Sequence, residues 1–90
     1  MKTIPLRSDG DIPLTANLIK EIIGVSPKGM TVTQLRSRIR ILDALDKPEN
    51  DSVILEDAEF TTLTEIVNDT GWVRADRQVL QIIDDILTAK

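Results

Sequence analysis

The chain has 90 residues, of which 41% are hydrophobic, and a formal net charge of −4 at pH 7. This length and composition are typical of one ordinary globular domain and argue against a disordered chain. Because the sequence contains no Cys and no His, it excludes a disulfide framework, a zinc site built from Cys and His ligands, a cysteine nucleophile and a Ser-His-Asp triad.

The sequence also predicts no membrane-spanning segment. The longest uninterrupted apolar run has three residues, at 53–55, whereas a transmembrane helix needs about 20 apolar residues. Residues 1–7 lack the apolar core of a secretory signal peptide, and the absence of Cys is consistent with a reducing compartment. We therefore expect a cytoplasmic protein with no membrane partner.

The prolines and glycines occur singly, at positions that suit the boundaries of helices and strands, so we predict a single domain over residues 1–90. Near the start of the chain, Ile4 and Leu6 share one face of an extended segment, but Pro5 between them has no amide donor. Residues 1–13 are therefore predicted to be an extended arm or an edge strand, with a turn at residues 8–11.

Two amphipathic helices are predicted in the first half of the chain. The first lies between an N-cap at Thr15 and a left-handed glycine at Gly24. The second begins at its N-cap Thr33 and runs to about Lys47, because Pro48 prevents continuation. The side chains expected to face the core are Leu18, Ile19, Ile22 and Ile23 in the first helix, and Leu35, Ile39, Leu42 and Leu45 in the second.

The second half predicts a polar turn at 49–51, a short buried strand at 52–55 and two further helices. The third helix has its N-cap at Asp57 and stops at Gly71, and the fourth begins near Asp76 and runs towards Ala89. Their core-facing side chains are predicted to be Phe60, Leu63, Ile66 and Val67 in the third helix, and Val79, Leu80, Ile82, Ile83, Ile86 and Leu87 in the fourth. Four amphipathic helices with a small two- or three-stranded sheet make an α-rich α+β fold.

Charge is unevenly distributed along the chain. Residues 28–47 carry five basic and two acidic side chains, a net charge of +3, and residues 48–72 carry seven acidic and no basic side chains, a net charge of −7. Each segment is suited to an oppositely charged surface, on another protein or on a second copy of this chain. The candidate interaction residues are Arg36, Arg40 and Lys47 in the basic segment, and Glu59, Glu65 and Asp69 in the acidic segment.

Helical geometry refines the basic segment. At 100° per residue, Arg36, Arg40 and Lys47 lie within about 40° of one another, whereas Arg38 points about 160° away from Arg36. The helix at 33–47 therefore predicts one basic face, partly neutralised by Asp43 beside it, rather than a ring of positive charge.

A winged helix-turn-helix DNA-binding protein is the alternative. The first helix, a β-prone segment at 30–32 and a capped helix at Thr33 follow the order of that architecture, and Arg side chains can contact phosphates and guanine edges. A wing, however, requires a β-hairpin after the recognition helix, and the chain beyond residue 57 predicts two more helices.

Trp72 has two interpretations. It is either a core residue between the third and fourth helices or an exposed anchor at an interface, because Trp is common among binding hot spots. The structure around it decides between them.

Catalytic and metal-binding patterns are weak. Carboxylates cluster at 9–11, 56–59 and 84–85, but none has the spacing of a calcium loop, and the glycines are too far apart for a nucleotide-binding fingerprint. We expect no enzyme activity, no metal and no cofactor.

In general character the chain resembles short, cysteine-free bacterial or phage-encoded proteins found among regulatory or assembly genes, without a motif that identifies a family. We expect a non-catalytic protein-interaction or assembly module that binds another protein or a second copy of itself. Nucleic-acid binding through the basic helix at 33–47 is the alternative function.

Overall fold

A computed structural model describes residues 1–26, 28–72 and 75–90. In chain order the elements are β1 (Lys2–Pro5), β2 (Ser8–Asp9), β3 (Ile12–Pro13), α1 (Leu14–Gly24), α2 (Val32–Leu45), β4 (Ser52–Leu55), α3 (Asp57–Asp69) and α4 (Arg77–Leu87). The predicted α-rich α+β fold is confirmed. No helix in the described ranges is both long enough and apolar enough to cross a membrane.

The strands form two small antiparallel sheets. β1 pairs with β4 in a register that places Ile4 opposite Val53, and both side chains are buried beneath the helices. The predicted edge strand and the predicted buried strand are therefore partners. β2 and β3 form a hairpin around Gly10, whose φ of 61° lies in the left-handed region that glycine adopts without strain. The sequence predicted this turn but not the hairpin.

A tight turn directs the chain from α2 into β4. The backbones of Glu49 and Ser52 exchange two hydrogen bonds of 2.8 and 2.9 Å. Asn50 and Asp51 between them have φ values of 49° and 59°, a pair of left-handed residues as in the hairpin turns that favour Asn and Asp. The polar turn predicted from the sequence is present without any glycine.

The hydrophobic core is continuous and draws on the β1–β4 sheet and all four helices. α1, α2 and α3 pack against one another, α2 also packs on β4, and α4 packs on α3 and β1. The buried apolar side chains are Ile4, Ile19, Ile23, Ile41, Leu45, Val53, Leu55, Leu63, Val67, Ile82 and Ile86.

The predicted N-cap at Thr15 is wrong. α1 already begins at Leu14, and the Thr15 side chain is fully buried, where its Oγ1 accepts a 2.8 Å hydrogen bond from the backbone N–H of Arg7. The Thr15 N–H donates in turn to the Arg7 carbonyl at 3.2 Å. Gly24 is the last residue of α1, and the left-handed glycine before α2 is Gly29, with φ of 77°.

The helix boundaries correct two more predicted caps. Thr31, not Thr33, caps α2: the Gln34 N–H donates to Thr31 Oγ1 at 3.2 Å, and the Gln34 side chain accepts from the Thr31 N–H at 2.9 Å. This reciprocal pair satisfies two otherwise unpaired backbone donors, which Thr33 cannot do from within the first turn. α3 follows Glu56 and has Asp57 as its first residue.

The predicted start of α4 is confirmed. The Asp76 carboxylate accepts hydrogen bonds from the backbone N–H groups of Gln78 and Val79, at 2.8 and 3.4 Å.

Arg7, in the loop after β1, binds Asp85 of α4 through Nε and through Nη2, the latter at 3.1 Å. Hydrogen bonding to this carboxylate, and secondarily its charge, raises the pKa of Arg7 above its ordinary value.

Four side chains predicted to be buried are exposed. Leu35 and Ile39 in α2 are 44% and 45% exposed, because α2 instead turns Ile41 and Leu45 into the core. Leu80 and Leu87 in α4 are also exposed, because α4 turns Ile82 and Ile86 into the core and these lie on the opposite side of the helix.

Candidate interaction surface

The exposed side of α2 carries three apolar side chains in one line. Val32, Leu35 and Ile39 are 64%, 44% and 45% exposed, and their spacing of three and then four residues places them along one face of the helix. Arg36 and Arg40 lie beside this line, one turn apart, and both are exposed. We call these five residues the α2 face.

The basic residues predicted for interaction point into solvent. Arg36, Arg40 and Lys47 form no ion pair with any residue in the described parts of the chain. The predicted position of Lys47 on the helix face is wrong, because α2 ends at Leu45 and Lys47 lies beyond it. Asp46 lies 3.6 Å from Lys20, measured from Oδ1 to Nζ, so part of the acidic charge in this segment is directed towards α1. The α2 face therefore combines an apolar line with two exposed arginines on one side of it, and the exposed Asp43 next to Arg40 partly offsets their positive charge.

Arg38 has a different role, as the helical geometry predicted. It is half-buried on the side of α2 that faces α1, and its Nη1 donates to the Ile23 carbonyl at 2.9 Å and to the Val25 carbonyl at 3.4 Å. These carbonyls lie at the C-terminal end of α1, where a cation also interacts favourably with the helix dipole. Arg38 therefore fixes the packing of α2 on α1 and is not part of the exposed basic surface.

The three predicted acidic residues do not form one surface. Glu65 and Asp69 are exposed and line a groove of about 260 Å³ between α3 and α2. Glu59 is half-buried at the start of α3, where its Oε2 accepts a 2.9 Å hydrogen bond from the Glu56 N–H. The structure thus brings Glu65 and Asp69 together and uses Glu59 to stabilise the helix terminus.

A larger groove, of about 650 Å³, lies where the ends of α1 and α3 meet the start of α2. Its lining includes Glu21, Lys28, Arg38 and Asp69. Two acidic and two basic side chains around an open groove do not select for an anion or a cation, so this groove offers no defined ligand chemistry.

Trp72 lies outside the buried core. Its side chain is 39% exposed and follows the end of α3. The interpretation of Trp72 as a core residue is therefore wrong. Its side chain is partly covered by the rest of the protein but is not enclosed.

Two of the carboxylate clusters each have a member paired with a cation from a distant part of the chain. Asp57 lies 3.1 Å from the N-terminal ammonium of Met1, and Asp85 binds Arg7. Within residues 1–26, 28–72 and 75–90, no three Asp or Glu side chains are grouped so that they could hold a metal ion.

The apolar line on the α2 face was not predicted from the sequence. The signal was present, because α2 carries apolar residues on two opposite sides, with Ile39 and Ile41 about 160° apart on a helical wheel.

A comparison of this chain with protein-family models, curated proteins and solved structures found no match.

Proposed function

We propose that this protein is a non-catalytic interaction module that binds another protein through the α2 face. One observation carries the proposal: Val32, Leu35 and Ile39 expose apolar surface in a line beside Arg36 and Arg40. Protein interfaces characteristically combine an apolar centre with a polar rim and are enriched in Arg. The surface complementary to the α2 face is an apolar strip flanked by acidic side chains, since opposite charges accelerate encounter and select the partner.

DNA binding through the helix at 33–47 remains the alternative function. Arg36 and Arg40 are exposed and could approach phosphates. Leu35 and Ile39 are exposed beside the two arginines on the same face of α2. These apolar side chains form no favourable interaction with a phosphate backbone. In addition, β4 follows α2 and pairs with β1 rather than with a neighbouring wing strand. These features favour a protein partner.

Two labelled probes distinguish these functions by fluorescence anisotropy at low salt. One is a synthetic amphipathic peptide with Glu side chains flanking a strip of Leu, and the other is a random-sequence DNA duplex. We expect saturable binding of the peptide. Leu35→Ser and the double variant Arg36→Glu, Arg40→Glu should each weaken peptide binding by about tenfold or more, as for residues at the centre of an interface.

Matched variants outside α2 serve as controls. Ile12→Ser removes an apolar side chain that is 56% exposed on β3, and Arg77→Glu reverses an exposed charge on α4. Neither should change the affinity for the peptide, and thermal melts establish that all variants remain folded. Tighter binding of DNA than of peptide, with an affinity that Leu35→Ser leaves unchanged, would establish the alternative and contradict our proposal.

A further inference from the structure

A second exposed apolar line lies on α4. Leu80 and Leu87 are 57% and 45% exposed, and Ile83 between them is half-buried. Their spacing of three and then four residues aligns them on one face of the helix. We call these three residues the α4 stripe. It belongs to a different helix from the α2 face and is independent of the function proposed above.

The charges beside the α4 stripe are placed against the dipole of their own helix. Arg77 is the first residue of α4 and Asp84 lies in its last turn. A helix dipole favours anions at the N-terminus and cations at the C-terminus, so both side chains are in the unfavourable position. Neither forms an ion pair with another residue in the described ranges. Seven residues separate them, which places them two turns apart on the same side of the helix.

We propose that α4 pairs with the α4 helix of a second copy in an antiparallel arrangement about a twofold axis. With the axis between Gln81 and Ile82, Leu80 of each copy packs on Ile83 of the other copy. The same register places Arg77 of each copy opposite Asp84 of the other. Because a twofold interface repeats every contact, one pair of complementary charges becomes two.

Charge selects this register. If the two helices slid until Ile83 met Leu87, the Asp84 side chains of the two copies would face each other and repel. The antiparallel arrangement also adds the partner's Asp84 to each N-terminus, beside the capping Asp76, and the partner's Arg77 to each C-terminus, which offsets the unfavourable placement of Arg77 and Asp84 within each helix.

The size of the contact indicates a weak dimer. α4 has 11 residues and is therefore about 16 Å long, so the paired helices bury less surface than most permanent dimers. We expect a reversible monomer–dimer equilibrium that shifts to the dimer as the protein concentration rises.

Sedimentation equilibrium on a charge-swap series tests this dimer. Arg77→Asp and Asp84→Arg each replace two attractive pairs by two repulsive ones, so each should raise the dissociation constant by about tenfold or more. The double variant Arg77→Asp, Asp84→Arg restores complementarity and should return the dissociation constant towards the original value. Each single change places a charge that the helix dipole favours, so the folded monomer should keep its stability. A weaker dimer in these variants therefore cannot be attributed to unfolding.

Apolar variants locate the interface. Leu80→Ser should abolish dimerisation, whereas Leu35→Ser on α2, with a comparably exposed Leu, should leave it unchanged. A monomer at every concentration would overturn the proposal. So would a dimer that Leu35→Ser disrupts and Leu80→Ser does not, or a charge swap that fails to restore dimerisation.

Discussion

Two isoleucines in α2, separated by one residue, provide a direct test of how this helix is oriented. Ile41 is fully buried, whereas Ile39 is 45% exposed. The hydrophobic pattern of the sequence predicted the opposite burial: Ile39 belonged to the predicted core-facing line, and Ile41 did not. Replacing each by alanine therefore measures the orientation of α2 as a difference in folding stability.

The structure gives different magnitudes for the two changes. Ile41→Ala removes fully enclosed carbon atoms and leaves a cavity, which costs about 2–5 kcal/mol of unfolding free energy. Ile39→Ala removes carbon atoms that are about half in water, so the lost burial is worth about 1 kcal/mol or less, and alanine's higher helix propensity offsets several tenths of it. Both variants should remain folded if the domain has a typical stability of about 5–15 kcal/mol.

Urea denaturation followed by far-UV circular dichroism measures both losses. The slope of free energy against urea should be the same for the two variants and the original protein, so that midpoints can be compared directly. We expect the Ile41→Ala midpoint to fall much further than that of Ile39→Ala. Equal losses, or a larger loss for Ile39→Ala, would show that α2 packs through the other face and that the α2 face is not exposed.

Three further predictions concern individual side chains. Thr31→Ala should cost about 1 kcal/mol of stability through the lost cap, whereas Thr33→Ala should cost no more than a few tenths; equal losses in urea denaturation would contradict the assigned cap. Thr15→Val should cost about 1–3 kcal/mol, because the Arg7 N–H then loses its buried acceptor, and a neutral effect in the same assay would refute that role. Acrylamide should quench the fluorescence of Trp72, which is 39% exposed; complete protection from quenching would place it in the core.

Local signals in the sequence were sufficient where a single residue decides the structure. Asp76 begins α4 because its short carboxylate reaches the first free N–H groups of the helix. Asn50 and Asp51 make the turn before β4 because both residue types tolerate a left-handed backbone. The predicted strand at 52–55 was likewise confirmed, since charged residues flank its apolar run.

Features that depend on distant contacts were not predictable in the same way. α2 has apolar side chains on two sides, and only its neighbours α1, α3 and β4 determine that Ile41 faces inwards and Ile39 outwards. The buried hydroxyl of Thr15 was interpreted as a cap, because its true donor is the backbone N–H of Arg7 in the loop after β1. Nor did the sequence show that Asp85 would be bound by Arg7.

The candidate site was predicted in part. The common direction of Arg36 and Arg40, and the separate direction of Arg38, followed from helical spacing and agree with the structure. The exposed apolar line beside the two arginines was not predicted, because Leu35 and Ile39 were assigned to the core. The proposed binding role rests on this combination of exposed apolar and basic side chains.

Chemical-shift mapping of the isotope-labelled protein tests the central claim most directly. The probe is the acidic amphipathic peptide described above, titrated into the protein at low salt. We predict progressive shifts that concentrate on the backbone amides of residues 32–40 and are absent from the same titration with the Leu35→Ser variant. Shifts confined to the groove lined by Glu65 and Asp69, or the absence of any shift, would contradict the assignment of the α2 face as the binding surface.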